Sequence, residues 1–263
     1  MECIRRLTVA VVRLLTRLFL KVKAEGLERI PAAGAAIIAI NHINFVDAPL
    51  LYTLSKREII GLGKAEIWSN PILRLLAESL KGIPVRRGEL DINAVRLCLE
   101  VLRRGQALGL APEGTRSHHG RLQPGRPGVV LLALHALDTP IVPVAIYGQE
   151  HLRDNLRRLR RTDVQVIVGQ AFYLHPGDGC VTHEVRQQMT NEIMMQIAAL
   201  LPVENRGAYA DLASATECYL RFPPGAESNL KRVFPAGRLS SAAAQVGQEA
   251  AQPAASADQR EFR

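Results

Sequence analysis

Short, mostly continuous apolar runs alternating with helical patterns constrain this chain more than any other feature. The runs are Ala35–Asn41, Glu58–Leu62, Ile83–Val85, Ala107–Ala111, Ile141–Tyr147 and Val164–Val168. A strand covered on one face alternates polar and apolar residues, whereas one covered on both faces reads as a continuous apolar stretch. Helical patterns lie between them at about Asp47–Leu54, Ile67–Leu80, Asp91–Arg104, Gly128–Leu137 and Glu150–Leu159. A longer one runs from about Val181 to Leu201 and stops at Pro202. Asp91 suits an N-cap, Arg103 and Arg104 suit a helix C-terminus, and Gly105 is a stop. This alternation predicts an α/β fold: a mixed, largely parallel sheet flanked by helices, over residues 24–221. A chain of 263 residues buries a sizeable core without metal or disulfide staples. Cys3, Cys98, Cys180 and Cys218 are far apart and form no CxxC pair, so they read as reduced thiols and no metal site is expected. The alanine-rich stretch 235–263 offers almost nothing to a core and reads as a disordered tail.

The first residues, MECIRRLTVAVVRLLTRLFL, resemble a signal peptide, but Arg13 and Arg17 interrupt the apolar stretch and no small-residue cleavage site follows. A spanning helix needs about 20 consecutive apolar residues, which are not there. On a helix, Arg6, Arg13, Arg17 and Lys21 fall within an arc of about 80°. Residues 1–23 are therefore predicted to form an amphipathic helix, either lying on an anionic membrane surface or packed on its own domain. The stretch Ile30–Val46 contains Pro31, Gly34, Asn41 and Asn44 and reads as turn, strand and loop, not as a span. A net charge of +8 favours anionic partners. Aromatic residues are only 5%, and neither a basic reading helix nor stacking aromatics are evident, which argues against nucleic acid.

Three polar clusters follow apolar runs, where open α/β sheets place their ligands. In Asn41-His42-Ile43-Asn44-Phe45-Val46-Asp47, a loop at His42 followed by a helix opening at Asp47 lets the carboxylate curl back to the imidazole. Such a carboxylate fixes the tautomer and leaves the other ring nitrogen free to take a proton. Taken alone, the pair also fits a helix-capping Asp47 beside a satisfied strand-end histidine. In Pro112-Glu113-Gly114-Thr115-Arg116-Ser117, Gly114 permits a tight turn, Glu113 can accept from a substrate hydroxyl, and Arg116 suits a phosphate. A polar surface turn is the plainer reading of that segment. Lys81-Gly82-Ile83-Pro84-Val85-Arg86-Arg87-Gly88 is either a second phosphate clamp or a solvated basic turn.

Together, NHxxxxD, IPVRRG, PEGTRS and IVPVAI, in this order, resemble the glycerolipid acyltransferases, most nearly the bacterial 1-acyl-glycerol-3-phosphate type. Gly63-Lys64-Ala65-Glu66 is similar to the family's Lys-Ala-Glu segment, and the resemblance spans about Gly26 to Val168. It implies a glycerol-3-phosphate acyltransferase-like fold, His42 as general base with Asp47 as its partner, and Arg87 as a phosphate ligand. It further implies acceptor binding by Glu113, Gly114, Thr115 and Arg116, and a donor-binding or structural role for Pro143. Ala111, and Gly125 before Arg126, stand where the family usually has Phe, which touches the acyl pocket and the acceptor preference but not the base.

The implied reaction moves a fatty acyl group from acyl-CoA or acyl carrier protein to the free hydroxyl of 1-acyl-glycerol-3-phosphate, giving phosphatidic acid, with no cofactor and no metal. The implied partners are a membrane lipid surface, the lysolipid and the acyl donor. The implied location is the cytoplasmic face of the cell membrane. The arginine-rich stretch Arg153–Arg161 suits lipid headgroups, an acidic carrier protein or simply solvent. A different lysolipid acceptor, such as a lyso-aminolipid, is the nearest alternative. A catalytically silent membrane-surface protein on the same fold is a further one, and it predicts loss of His42 or Asp47, both of which are present.

Overall fold

The six apolar runs supply all but the first strand of a seven-stranded sheet. The computed structural model describes residues 2–86, 88, 91–117, 119–177 and 179–233. In chain order, α1 (Glu2–Phe19) leads into β1 (Leu20–Glu25), β2 (Ala36–Ile40), α2 (Asp47–Leu54), β3 (Ile59–Lys64), α3 (Pro71–Ser79) and β4 (Ile83–Val85). There follow α4 (Ile92–Arg103), β5 (Ala107–Leu110), α5 (Gly128–Leu134), β6 (Ile141–Tyr147), α6 (Leu152–Arg157) and β7 (Thr162–Val168). The small antiparallel pair β8 (Tyr173–Leu174) and β9 (Leu220–Arg221) brackets α7 (His183–Ala198). Strand order in the main sheet is β1-β7-β6-β2-β5-β3-β4, and every pairing is parallel except β6 with β7. The mixed, largely parallel sheet flanked by helices is thus borne out.

Side-chain period explains why the central strands are apolar throughout. Ile37 packs with α4, α5 and α7 through Cys98, Val130 and Ile193, while its neighbour Ile38 packs with Leu50 and Leu51 of α2 on the other face. Helix ends follow local chemistry. The Asp91 carboxylate accepts from the Ala94 N–H to start α4, and Gly105 ends that helix with φ of 69°. The pattern expected as one helix over Ile67–Leu80 divides at Asn70-Pro71. Asn70 is extended there, as a residue before proline prefers, and its side chain accepts from the N–H groups of Ile72 and Leu73.

Two boundaries differ from expectation. The N-terminal helix ends at Phe19, and Leu20–Glu25 instead pairs with β7 residue by residue. LKVKAE alternates with period two, burying Leu20 and exposing Lys21, so Lys21 leaves the helical basic stripe. Described structure also continues past residue 221: Leu230 is fully buried, and Arg232 makes a two-pronged pair with Glu25 at 3.0 and 3.1 Å. The stretch expected to be a disordered tail, 235–263, lies outside the described residues.

Topology fixes where a site can form. Strands β2 to β6 run in one direction, so their carboxyl ends share one edge of the sheet. The antiparallel β7, and β1 beside it, begin at that same edge. Therefore α1 ends, and α2 begins, at the edge to which His42 belongs.

Candidate active site

The loop after β2 is held by three interactions that the residues themselves supply. Asn41 extends the β2–β6 pairing with its side chain: its Nδ2 donates to the Ile146 carbonyl and its Oδ1 accepts from the Ile146 N–H, both at 2.7 Å. The His42 N–H donates to Glu113 Oε1 at 2.8 Å, and the Ser117 N–H donates to the His42 carbonyl at 2.7 Å. The loops after β2 and β5 are therefore stitched together on both sides of one residue.

The imidazole is held as tightly. His42 Nδ1 lies 2.8 Å from Asp47 Oδ2, which also accepts from the N–H groups of Ile43 at 2.8 Å and Asn44 at 2.7 Å. Gln149 Nε2 donates to the other oxygen of Asp47 at 3.0 Å. Asp47 is fully buried and its side chain makes no helix-cap bond, so the capping alternative does not describe it. A carboxylate accepting at Nδ1 keeps the proton on that nitrogen of the neutral ring and leaves Nε2 with its lone pair. Among the described residues, Nε2 has no hydrogen-bond partner, and the His42 side chain is 18% exposed. Asn44 Oδ1 and Gln149 Oε1 are buried without partners, so unpaired polar atoms gather at this loop.

Glu113 does not face outward. It is buried, and its second oxygen accepts from the Gln123 N–H at 2.9 Å, so both oxygens hold backbone. Burial pushes its carboxyl above the usual range, against the pull of the two N–H groups. This geometry gives it a loop-positioning role besides the substrate contact expected from sequence. Gly114 takes φ of 71°, and the Arg126 side chain lies so close that a Cβ there would stand 2.8 Å from Arg126 Cδ. Thr115 is half-buried, and Arg116 is exposed beside Ser117.

The structure thus gathers His42, Asp47, Glu113, Gly114, Thr115 and Arg116 at one edge. Arg87 lies outside the described residues; Arg86, just before it, is exposed at the end of β4 on the same edge. Pro143 is elsewhere. It is buried in β6 opposite Ala39, about 10 Å short of His42 along the strand, and its carbonyl accepts from the Gly169 N–H. Its position is that of a structural residue.

Sequence reasoning missed Asn41, Gln149 and Arg126. Asn41 opens the NHxxxxD motif and is signalled by its polarity after an apolar run, but it was given no role. Gln149 carries no local signal, because it reaches Asp47 from 102 residues away. Cys98 is buried, with its thiol pushed up to about 12, mainly by desolvation. No cluster of metal-ligating residues occurs among the described residues, and no described helix is long and apolar enough to cross a membrane.

Residues 21–147 match the family model described as Acyltransferase. The chain is 26% identical over 160 residues to the chloroplastic 1-acyl-sn-glycerol-3-phosphate acyltransferase BAT2 of Brassica napus, covering 59% of this chain and 46% of that protein. It therefore spans less than half the length of that relative. It is 25% identical over 158 residues to the 1-acyl-sn-glycerol-3-phosphate acyltransferase of Bacillus subtilis, covering 60% of this chain and 75% of that one. The fold is similar to the crystal structure of the 1-acyl-sn-glycerophosphate (LPA) acyltransferase PlsC from Thermotoga maritima. The TM-score is 0.55 at 24% identity, over 72% of this chain and 77% of that one.

Proposed function

We propose, from the match of residues 21–147 to the acyltransferase family model, that the protein is an acyltransferase that acylates the free hydroxyl of 1-acyl-glycerol-3-phosphate, giving phosphatidic acid. The observation that carries this reading is the imidazole of His42, fixed by Asp47 with Nε2 free, beside the arginine-bearing loop after β5. An acyl thioester is already activated, so no covalent enzyme intermediate is needed. His42 Nε2 takes the proton of the acceptor hydroxyl while its oxygen bonds to the thioester carbonyl carbon. The C–S bond then breaks, and the imidazolium returns the proton to the departing thiolate. Asp47 stabilises the imidazolium in between. Arg116 holds the acceptor phosphate, with Arg87 expected to share it by resemblance, so that attack becomes effectively unimolecular.

Membrane association belongs to the same reading. Leu7, Val11, Leu14 and Leu18 form an exposed apolar stripe on α1, which suits a helix lying in the interface plane. The helix ends at the catalytic edge, where a lipid acceptor would enter from the bilayer. The exposed arginines of α6 and its following loop connect β6 to β7 at that edge too, and they suit an anionic donor, either CoA or an acidic carrier protein.

The test is acyl transfer to lysophosphatidic acid from acyl-CoA and from acyl carrier protein, in detergent or liposomes, with wild type and His42→Ala compared. Phosphatidic acid from the wild type and a rate about 100-fold lower or less in the variant are expected. Equal rates in the two proteins would remove His42 from the mechanism. A folded wild type giving no product would reject this acceptor.

A further inference from the structure

A basic cavity of about 350 Å³ lies between the amino-terminal half of α1 and the turn that follows α2. Its cationic lining is Arg5, Arg6 and Arg13 from α1 with Lys56 and Arg57 from the turn. Among the described lining residues the carboxylate is Glu58, bridged by Arg5 and Lys81, each at 2.7 Å. Among the described residues, Arg13 and Lys56 are exposed and have no hydrogen bond or ion pair. Arg57 is anchored by donating to the carbonyls of Pro31, Gly34 and Gly105. Tyr52 and the buried Ser55 add hydroxyls to the wall. Guanidinium and ammonium groups with adjacent hydroxyls match a phosphate in charge and donor chemistry.

The cavity is separate from the catalytic edge. The helix α2 starts at Asp47 and ends at Leu54, so Ser55–Glu58 lie one helix length, about 12 Å, away. Its place on α1 identifies the source of the phosphate. At 100° per residue, Thr8, Val12 and Arg5 share the side of α1 that meets the domain, through Thr8 to Ser79 and Arg5 to Tyr52. The exposed leucines lie on a second side, and Arg6, Arg13 and Arg17 on a third between them. With the leucines in the acyl boundary, those cations stand at headgroup level.

We propose that this cavity binds the phosphate of an anionic phospholipid headgroup, a second lipid contact apart from the substrate site. It rests on the reading that α1 lies on a membrane. Bound there, a headgroup lipid clamps both α1 and the α2–β3 turn, fixing the domain's tilt on the bilayer.

The experiment is sedimentation of the full chain with vesicles of phosphatidylcholine alone or with added phosphatidylglycerol, which is not the product of the proposed reaction. Wild type is compared with the double variant Arg13→Glu/Lys56→Glu. The control is Arg96→Glu/Arg221→Glu, which makes the same change in net charge at exposed positions on the α4 and β9 side of the sheet. Wild type is expected to favour the anionic vesicles by about tenfold, the cavity variant to lose that preference, and the control to keep most of it. Equal loss in both variants, or none in the cavity variant, overturns the proposal while leaving α1 as a membrane helix. A wild type that sediments with neither vesicle rejects the membrane reading and the proposal together. Inorganic phosphate is the second probe. If it raises the unfolding temperature of wild type but not of the cavity variant, while both sediment alike, the cavity belongs to free phosphate and the lipid assignment falls.

Discussion

At the scale of single residues, this site is governed by who holds Asp47. Its carboxylate receives four donors, and three of them come from His42 and the two residues after it. The fourth, Gln149, approaches from the turn after β6 and touches only Oδ1. That division has a kinetic consequence. Gln149→Leu removes a hydrogen bond to a charged group, worth about 1.5–3 kcal/mol, without touching the acceptor. We expect kcat to fall about 10- to 100-fold with KM little changed, and Gln149→Glu to do worse by placing a second carboxylate against the first. Steady-state kinetics of the acyl transfer checks this; an effect confined to KM would mean that Gln149 faces substrate.

At the scale of elements, the site depends on two connections at the carboxyl ends of neighbouring strands. The β6 strand ends at Tyr147, and Gly148 then turns the chain with φ of 96° while its N–H donates to Glu150. A Cβ at this position would collide with the Asp163 carbonyl oxygen of β7, and the conformation is one that favours glycine. Gly148→Ala is therefore expected to cost about 1–3 kcal/mol of stability. Because Gln149 follows directly, it should also lower kcat more than an equally destabilising change far from the site. Chemical unfolding and kinetics on the same preparation separate the two effects. The loop after β2 shows the same logic: Asn41 borrows the partner positions of a strand residue, so His42 begins its turn from a rigid base.

At the scale of the whole molecule, Glu113 ties stability to pH. It and Glu192 are buried, and burial raises both carboxyls above the ordinary Glu range. A raised folded-state pKa means that the fold favours the protonated form. The stability this gives is full below the unfolded value of about 4.3 and is lost as pH rises through the folded value. Glu25, lowered mainly by its hydrogen bond with Arg232, works in the opposite direction. Glu113→Gln removes one titrating group, so its unfolding free energy should decline less with rising pH than that of wild type, with Glu192 leaving a residual slope. The amide can accept from only one of the His42 and Gln123 N–H groups, so about 1–3 kcal/mol should be lost at low pH. Denaturant unfolding across the acid to neutral range tests this, and an unchanged slope would show that Glu113 does not titrate in it.

Local chemistry makes much of the molecule legible from its residues alone. Unbroken apolar runs read as strands covered on both faces, and Ile141–Tyr147 is one over those same residues, whereas Ile83–Val85 is a strand at the sheet edge with Pro84 exposed. The polar segments following β2 and β5 belong at strand ends for the same reason. What sequence could not decide was direction and partnership. Leu20–Glu25 continues a helix in composition, and only a β7 edge with open backbone groups makes it a strand. Glu113 reads only as a substrate contact until the fold supplies two backbone N–H groups for it to accept from. Gln149 and the cavity under α1 depend on residues far apart in the chain, 102 positions for Gln149 with Asp47 and 47 for Arg5 with Tyr52. Side-chain chemistry and short-range periodicity are written in the chain, but a hydrogen bond between distant residues exists only once strand order has brought them together.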